Sequence, residues 1–255
     1  MILAIDIGNT NVVLGCIEDE EIRFQARMAT DLLKTSDEYC AELFNILSLN
    51  RVEIEKISGS IISSVVPPVL NAFCTAVDRL IGCEPLIVGP GIKTGLNVRT
   101  DDPAEVGGDL ITAAVAAVKE YGAPLLIVDM GTATTISAID EKGAYLGGCI
   151  CPGLRISQEA LTNRTSQLPG IRLETPKKAI GRNTVDCMRS GNMLGAAAML
   201  DGLLDRMEEE LGTETKIIAT GGMVRQILPL CRREMIYDGD LLLKGLNILY
   251  KNNVK

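Results

Sequence analysis

The sequence has no histidine and no tryptophan in 255 residues, and only three Phe and five Tyr. Without histidine, Ser-His and Cys-His nucleophile schemes are excluded. A general base must then be a carboxylate, a lysine, a tyrosine or a cysteine. Eight cysteines are present, at 16, 40, 74, 83, 149, 151, 187 and 231, but none forms Cys-x-x-Cys. The single close pair, Cys149-x-Cys151, has no histidine to join it, which argues against a zinc site. Most of the cysteines lie in apolar stretches and read as reduced core thiols.

No apolar run reaches the roughly 18 residues of a membrane span. The stretch 61–70 is interrupted by Pro67-Pro68. The N-terminus Met1-Ile-Leu-Ala-Ile-Asp6 lacks a basic segment and meets an acid at once, so it reads as a first strand and not as a signal peptide. A cytoplasmic protein with no membrane partner is expected. A basic excess is also missing: 25 Lys and Arg stand against 33 Asp and Glu, a net charge of −8. Nucleic acid is therefore not an expected partner, because binding it rests on neutralising phosphates. A nucleotide needs only local donors. No G-x-x-x-x-G-K-[ST] occurs, so a Walker-type phosphate loop is excluded. The hydrophobic share of 47% speaks for an ordered core and against disorder.

What is present reads as α/β. Strands are expected over 2–7, 12–17 and 22–28, joined by the turns Gly8-Asn-Thr-Asn11 and Glu18-Asp-Glu-Glu21. Thr35-x-x-Glu38 fits a capping box, with Tyr39, Leu43, Phe44, Ile46 and Leu47 as the apolar stripe behind it. A strand over 57–66, a helix over 69–80, a strand over 85–88, a loop over 89–102 and a helix over 105–121 follow. A second meander covers 125–129, 134–139 and 144–149. Helices over 154–164 and 184–211, the latter broken near Gly191, a strand over 215–220 and a helix over 240–251 complete the chain. The apolar segment 193–207 suits either a dimer interface or a core helix.

The strongest signal is an internal repeat. Ile5-Asp-Ile-Gly-Asn-Thr-Asn-Val-Val13 resembles Val128-Asp-Met-Gly-Thr-Ala-Thr-Thr-Ile136, about half a chain away. Each reads apolar strand, Asp, apolar residue, Gly, Thr or Asn, β-branched strand. Two related α/β halves are expected, over 1–120 and 121–255. In each copy, glycine lets the backbone approach an anion closely. Asn9, Thr10 and Asn11 in one copy, and Thr132, Thr134 and Thr135 in the other, bring N–H and O–H donors. An aspartate leaving a strand suits a hydrated cation bridging phosphates.

These paired hairpins resemble the ASKHA superfamily of acetate and sugar kinases, Hsc70 and actin. More closely, the chain resembles type III pantothenate kinases over nearly its whole length. The resemblance runs through Asp6-Ile-Gly-Asn-Thr-Asn11, Gly91-Ile-Lys-Thr-Gly-Leu-Asn97, Glu105-Val-Gly-Gly-Asp109 and Asp129-Met-Gly-Thr-Ala-Thr-Thr135. It continues through Gly147-Gly148, Pro152-Gly153, Ile180-Gly-Arg-Asn-Thr184, Thr220-Gly-Gly222 and Asp240-Leu-Leu-Leu-Lys-Gly245. It implies two RNase H-like, actin-like domains, each a mixed sheet of the five-stranded type with flanking helices. It implies transfer of phosphate from ATP to pantothenate, giving 4′-phosphopantothenate, the first step toward coenzyme A.

The resemblance also implies roles. Asp6, Ile7, Gly8, Asn9, Thr10, Asn11, Val12 and Val13 would hold the ATP phosphates, with Asp6 near Mg²⁺, and Thr132 would touch ATP. Asp109 would be the catalytic base, flanked by Gly107 and Gly108 in the substrate site. Asp129 would bind a monovalent cation, K⁺ or NH₄⁺. Thr184 would meet pantothenate from the partner subunit of a homodimer. Read alone, Asp109 equally suits a first-turn helix acid and Thr184 a helix N-cap. Two positions depart from the family: Leu110 stands where it has Arg, and Thr100 where it has a pocket Tyr. An altered pantothenate site is expected, with Arg99 the nearest substitute cation. The alternatives are a nucleotide-binding regulatory homologue and a kinase for another small alcohol.

Overall fold

The computed structural model describes residues 1–254. The chain opens with β1 (Ile2–Ile7), β2 (Asn11–Glu18), β3 (Glu21–Ala29), α1 (Ser36–Leu49), β4 (Gly59–Ser64), α2 (Pro67–Ile81) and β5 (Leu86–Ile87). β6 (Asn97–Val98) and α3 (Gly108–Tyr121) follow, then β7 (Leu125–Met130), β8 (Ala133–Ile139), β9 (Ala144–Pro152) and α4 (Leu154–Arg164). The chain closes with α5 (Thr184–Leu211), β10 (Lys216–Thr220), α6 (Val224–Ile227), β11 (Ile236–Tyr237) and α7 (Leu241–Asn253). These elements form two compact units. One holds Met1–Leu96, Asp101–Ala116 and the chain from Asp240 onward; the other holds Asn97–Thr100 and Ala117–Gly239. The partition thus differs from one cut after residue 120: α7 packs back on β1, β2 and β4 of the first unit.

The first unit has a five-stranded sheet in the order β3-β2-β1-β4-β5. β1 pairs antiparallel with β2 and parallel with β4. Strand alternation sends Leu3, Ile5, Ile7, Val12, Leu14 and Ile62 into one core, against Tyr39, Leu43 and Leu47 of α1 and Phe73 and Val77 of α2. The Tyr39 and Phe73 rings lie 4.3 Å apart at their centroids. The expected capping box is present. The Thr35 hydroxyl accepts from the Glu38 N–H, and the Glu38 carboxylate accepts from the Thr35 N–H at 2.8 Å.

The second unit has a six-stranded sheet, β11-β10-β7-β8-β9-β6. From β9 to β11 it repeats the first sheet strand for strand, with β7 in the place of β1 and β10 in the place of β4. β6 is the addition; it pairs with β9 inside the stretch expected to be a loop. Leu126, Val128, Met130, Ile136 and Ala138 pack against Met193, Ala197, Leu200 and Leu204. The segment 193–207 is therefore a core helix on this face, its buried residues following the helical period.

Three local expectations are corrected. α5 runs unbroken through Gly191. A mid-helix glycine costs only about 1 kcal/mol, which the burial of Met188, Met193 and Ala197 along the same helix outweighs. Its N-cap is Asn183, whose side-chain oxygen accepts from the Asp186 N–H at 2.9 Å, so Thr184 is the first helical residue. α3 begins at Gly108, and Pro103–Glu105 forms a separate short 3₁₀ turn. All eight cysteines are free, though only Cys16 is fully buried and Cys187 is exposed. Among the described residues no helix is long and apolar enough to cross a membrane.

The capping box anchors α1, which carries half of the first core's helical layer. Thr35→Ala is expected to lower stability by about 1 kcal/mol, measured by urea denaturation.

Candidate active site

In the first unit the acid-bearing strand end is set by pairing on both sides. Asp6 is aligned with Val13 of β2 and with Ser63 of β4. Only 8% of Asp6 is exposed. Beyond it the turn is closed by the Gly8 N–H, which donates to the Asn11 carbonyl at 3.0 Å. Thr30 braces this turn from the end of β3. Its N–H donates to the Thr10 carbonyl at 3.1 Å, and its hydroxyl donates to the Gly8 carbonyl at 2.6 Å. Asn9, Thr10 and Asn11 are left exposed, while Ile7 and Val12 bury their side chains in the core. Ile7 and Val12 thus have only main-chain groups to present to a ligand, and Val13 lies half-buried on the Asp6 side of the sheet.

Asp109 belongs to the same unit. It sits in the first turn of α3, and its Oδ1 accepts from the Leu110 N–H at 2.9 Å. The Gly107 carbonyl accepts the first helical hydrogen bond, from the Ile111 N–H at 3.1 Å. A Cβ on Gly107 would stand 2.5 Å from Asp109 Oδ1, so a larger residue there would push the carboxylate aside. Burial pushes the Asp109 carboxyl above the usual carboxylate range, against the lowering pull of the Leu110 N–H and its own N–H. A carboxylate short of solvent is a stronger proton acceptor than an ordinary one, which suits a base. Gly108 brings the start of α3 against Ser63 and Val88. Asp6, Ser63 and the start of α3 that bears Asp109, distant in sequence, are therefore neighbours in space within the first unit.

The second unit repeats the arrangement. Asp129 is aligned with Thr135 of β8 and with Thr220 of β10. The Gly131 N–H donates to the Ala133 carbonyl at 3.0 Å, so this turn is one residue shorter than the first. Thr132 is half-buried and Thr134 is buried beside it. Gly221 follows β10 with φ of 99°, and a Cβ there would stand 2.5 Å from Asp129 Oδ1 and 2.6 Å from the Met130 nitrogen. The Thr220-Gly221 step thus presses directly on the Asp129 carboxylate, a closeness the sequence does not announce.

The expected substrate residues divide between the units. Leu110 is half-buried beside Asp109. Thr100 lies in the second unit, its hydroxyl buried and unpartnered, near Gly147. Arg99 is more than half exposed and faces Asp140 at 3.6 Å, a pairing of little energetic weight. Thr184 is exposed at the start of α5. Sequence reasoning passed over Ser63, although two serines ending the apolar run Ile61-Ile-Ser-Ser64 were a visible signal. Among the described residues no three acidic, cysteine or histidine side chains gather as a ready metal site. A single carboxylate at each turn fits a cation that keeps its water and is held mainly by phosphate oxygens.

Because its folded pKa is raised, Asp109 holds its proton more firmly folded than unfolded. Stability from this group therefore falls as pH rises from the unfolded value through the folded one. Carboxyl-carbon NMR should find Asp109 titrating above 3.8, its ordinary value. Asp109→Asn should leave the melting temperature at neutral pH unchanged or raised.

Comparison with known proteins completes the picture. The model of a family described as type III pantothenate kinase matches residues 2–206. A curated type III pantothenate kinase from Halalkalibacterium halodurans is 45% identical over 254 residues, covering 100% of both chains. The activator of 2-hydroxyisocaproyl-CoA dehydratase from Clostridium difficile, solved with bound ADPNP, is similar at a TM-score of 0.53 and 12% identity, over 98% of this chain and 93% of that one. ROK hexokinase from Thermus thermophilus is similar at 0.52 and 10% identity, over 97% of each. These two likenesses show the fold, which is that of the actin-like ASKHA class. By its match to the family model and its full-length identity, the chain belongs to the type III pantothenate kinase family.

Proposed function

We propose that this protein transfers the γ-phosphoryl group of ATP to the primary hydroxyl of pantothenate, forming 4′-phosphopantothenate. Family membership over the full length supports the substrate pair. The observation that carries the mechanism is Asp109: a desolvated carboxylate at a helix start, beside a glycine whose enlargement would displace it. Phosphoryl transfer asks the protein mainly for positioning and charge stabilisation, and a nearby carboxylate suffices to take the alcohol proton late in the transfer. Asp109 takes that proton. The turns at 8–11 and 131–133 present main-chain and hydroxyl donors to the phosphates, with Thr132 among them. Asp6 would hold Mg²⁺, which would supply charge neutralisation when bound. Asp129 would hold a monovalent cation, K⁺ or NH₄⁺. Gly107, Gly108, Leu110 and Thr100 line the pantothenate side. Thr184 completes it from the partner subunit of a homodimer in the cytoplasm.

Leu110 favours a weakened grip on the pantothenate carboxylate, because it offers no cation where the family has Arg, and Thr100 fills less of the pocket than the Tyr it replaces. A regulatory homologue without substrate, or a kinase for another alcohol, is not favoured by an identity of 45% to a pantothenate kinase.

A coupled assay of ADP release, with and without pantothenate and K⁺, tests the reading. Asp109→Asn should reduce pantothenate-dependent release on the order of 10²- to 10⁴-fold while ATP still binds. Release that ignores pantothenate, or survives the substitution, would remove Asp109 as base. Leu110→Arg should lower the pantothenate KM by about ten- to a hundredfold, the worth of one charge-assisted hydrogen bond. A KM already typical of the family and unmoved by Arg99→Ala would show that the pocket compensates in another way.

A further inference from the structure

β4 carries a buried group that neither the phosphate turns nor the base explains. Ser63 is 0% exposed, and its hydroxyl has no hydrogen-bond partner. Leaving a buried hydroxyl unsatisfied is unfavourable, and alanine would avoid the cost. Its surroundings indicate what the hydroxyl is for. Ser63 is aligned with Asp6 across the parallel β1–β4 pair, so the two side chains share a sheet face, with their Cα atoms about 4.8 Å apart. On the far side, a Cβ built on Gly108 would lie 3.5 Å from Ser63 Oγ. The hydroxyl therefore stands between the acid of the first phosphate turn and the helix start that bears Asp109.

We propose that Ser63 is a positioning residue for phosphoryl transfer: in the nucleotide-loaded enzyme its hydroxyl donates to the Asp6 carboxylate and fixes the direction in which that carboxylate faces the phosphates. A carboxylate has about four acceptor sites, so Asp6 takes this bond alongside its others. The donor sits on a strand paired in register with the one that carries Asp6. The second unit provides a parallel: Thr220 is aligned with Asp129 in the same way and is also buried. In each half, then, a hydroxyl residue from the parallel neighbour strand stands beside the acid. The inference rests on the kinase reading above.

Ser60 supplies the control. It is on the same strand, equally buried and equally unpartnered, but is aligned with Leu3 and faces the opposite side of the sheet from Asp6. Calorimetric titration with Mg²⁺-ATP and thermal melts of the free protein should be run on wild type, Ser63→Ala and Ser60→Ala. Ser63→Ala should weaken Mg²⁺-ATP binding about tenfold, the loss of one hydrogen bond to a charged group, while its melting temperature stays level or rises. Ser60→Ala should bind as wild type does. A merely structural role would lower stability and affinity together. The proposal is overturned by any of three results: wild-type affinity in Ser63→Ala, a lowered melting temperature accompanying its loss, or an equal loss in Ser60→Ala. Wild-type protein that fails to bind Mg²⁺-ATP would instead strike down the kinase reading, and this inference with it.

Discussion

In each sheet of this protein a strand carries, one residue before its end, an aspartate held between an antiparallel and a parallel neighbour. Asp6 lies between Val13 and Ser63, and Asp129 between Thr135 and Thr220. That double pairing is the constraint from which the rest follows. It fixes the register of β1 and β7, because a slip of one residue would turn the apolar set Leu3, Ile5 and Ile7 away from its core. It also fixes where the carboxylate emerges, which is at the point where the backbone turns and its N–H groups leave the ladder. An aspartate buried this far would be costly in mid-strand. At a strand end, next to hydroxyl-bearing neighbours, it is tolerable and chemically useful.

Asp109 illustrates the cost of function within the same unit. Its carboxyl is short of solvent, which raises its pKa and works against stability when the group is charged. Gly107 is kept small where a larger residue would favour local order. Both features oppose a well-packed, inert helix start, and both suit the proton acceptor proposed above. Ser63, with its unsatisfied hydroxyl, belongs to the same class of local departures. Such departures concentrate where a site needs them. The rest of the first unit shows the opposite habit, with a complete capping box on α1 and a dry aromatic pair, Tyr39 and Phe73, under the sheet.

Much of this was legible in the residue order because it is local. The hairpins, the α1 cap and the two-half layout follow from apolar runs, turn residues and a repeated Asp-x-Gly. The fold class followed from the resemblance those motifs carried, and the strand-for-strand repeat of the two sheets agrees with it. What was not legible is non-local. The return of α7 to the first sheet depends on which surface Leu243, Leu246 and Leu249 cover, and their spacing does not say. The strands β6 and β11 are two residues long and exist only because a neighbour offers a free edge. Gly191 looked like a break because a glycine's local penalty is visible and its helix's packing is not. The role of Asn183 was hidden by Thr184 beside it, since both residue types cap helices. The residues around Ser63 and Gly221 were visible, but their partners lie on parallel strands distant in sequence, so no local window could say which aspartate each one meets.

The central proposal is that the two related Asp-x-Gly turns bind the phosphates of ATP. The most direct measurement follows the backbone amide signals of Gly8 and Gly131 by NMR while Mg²⁺-ATP is titrated in. The account predicts that both signals shift along one saturation curve with a common dissociation constant. A response confined to one turn, or absent from both while ATP binds elsewhere, would contradict it.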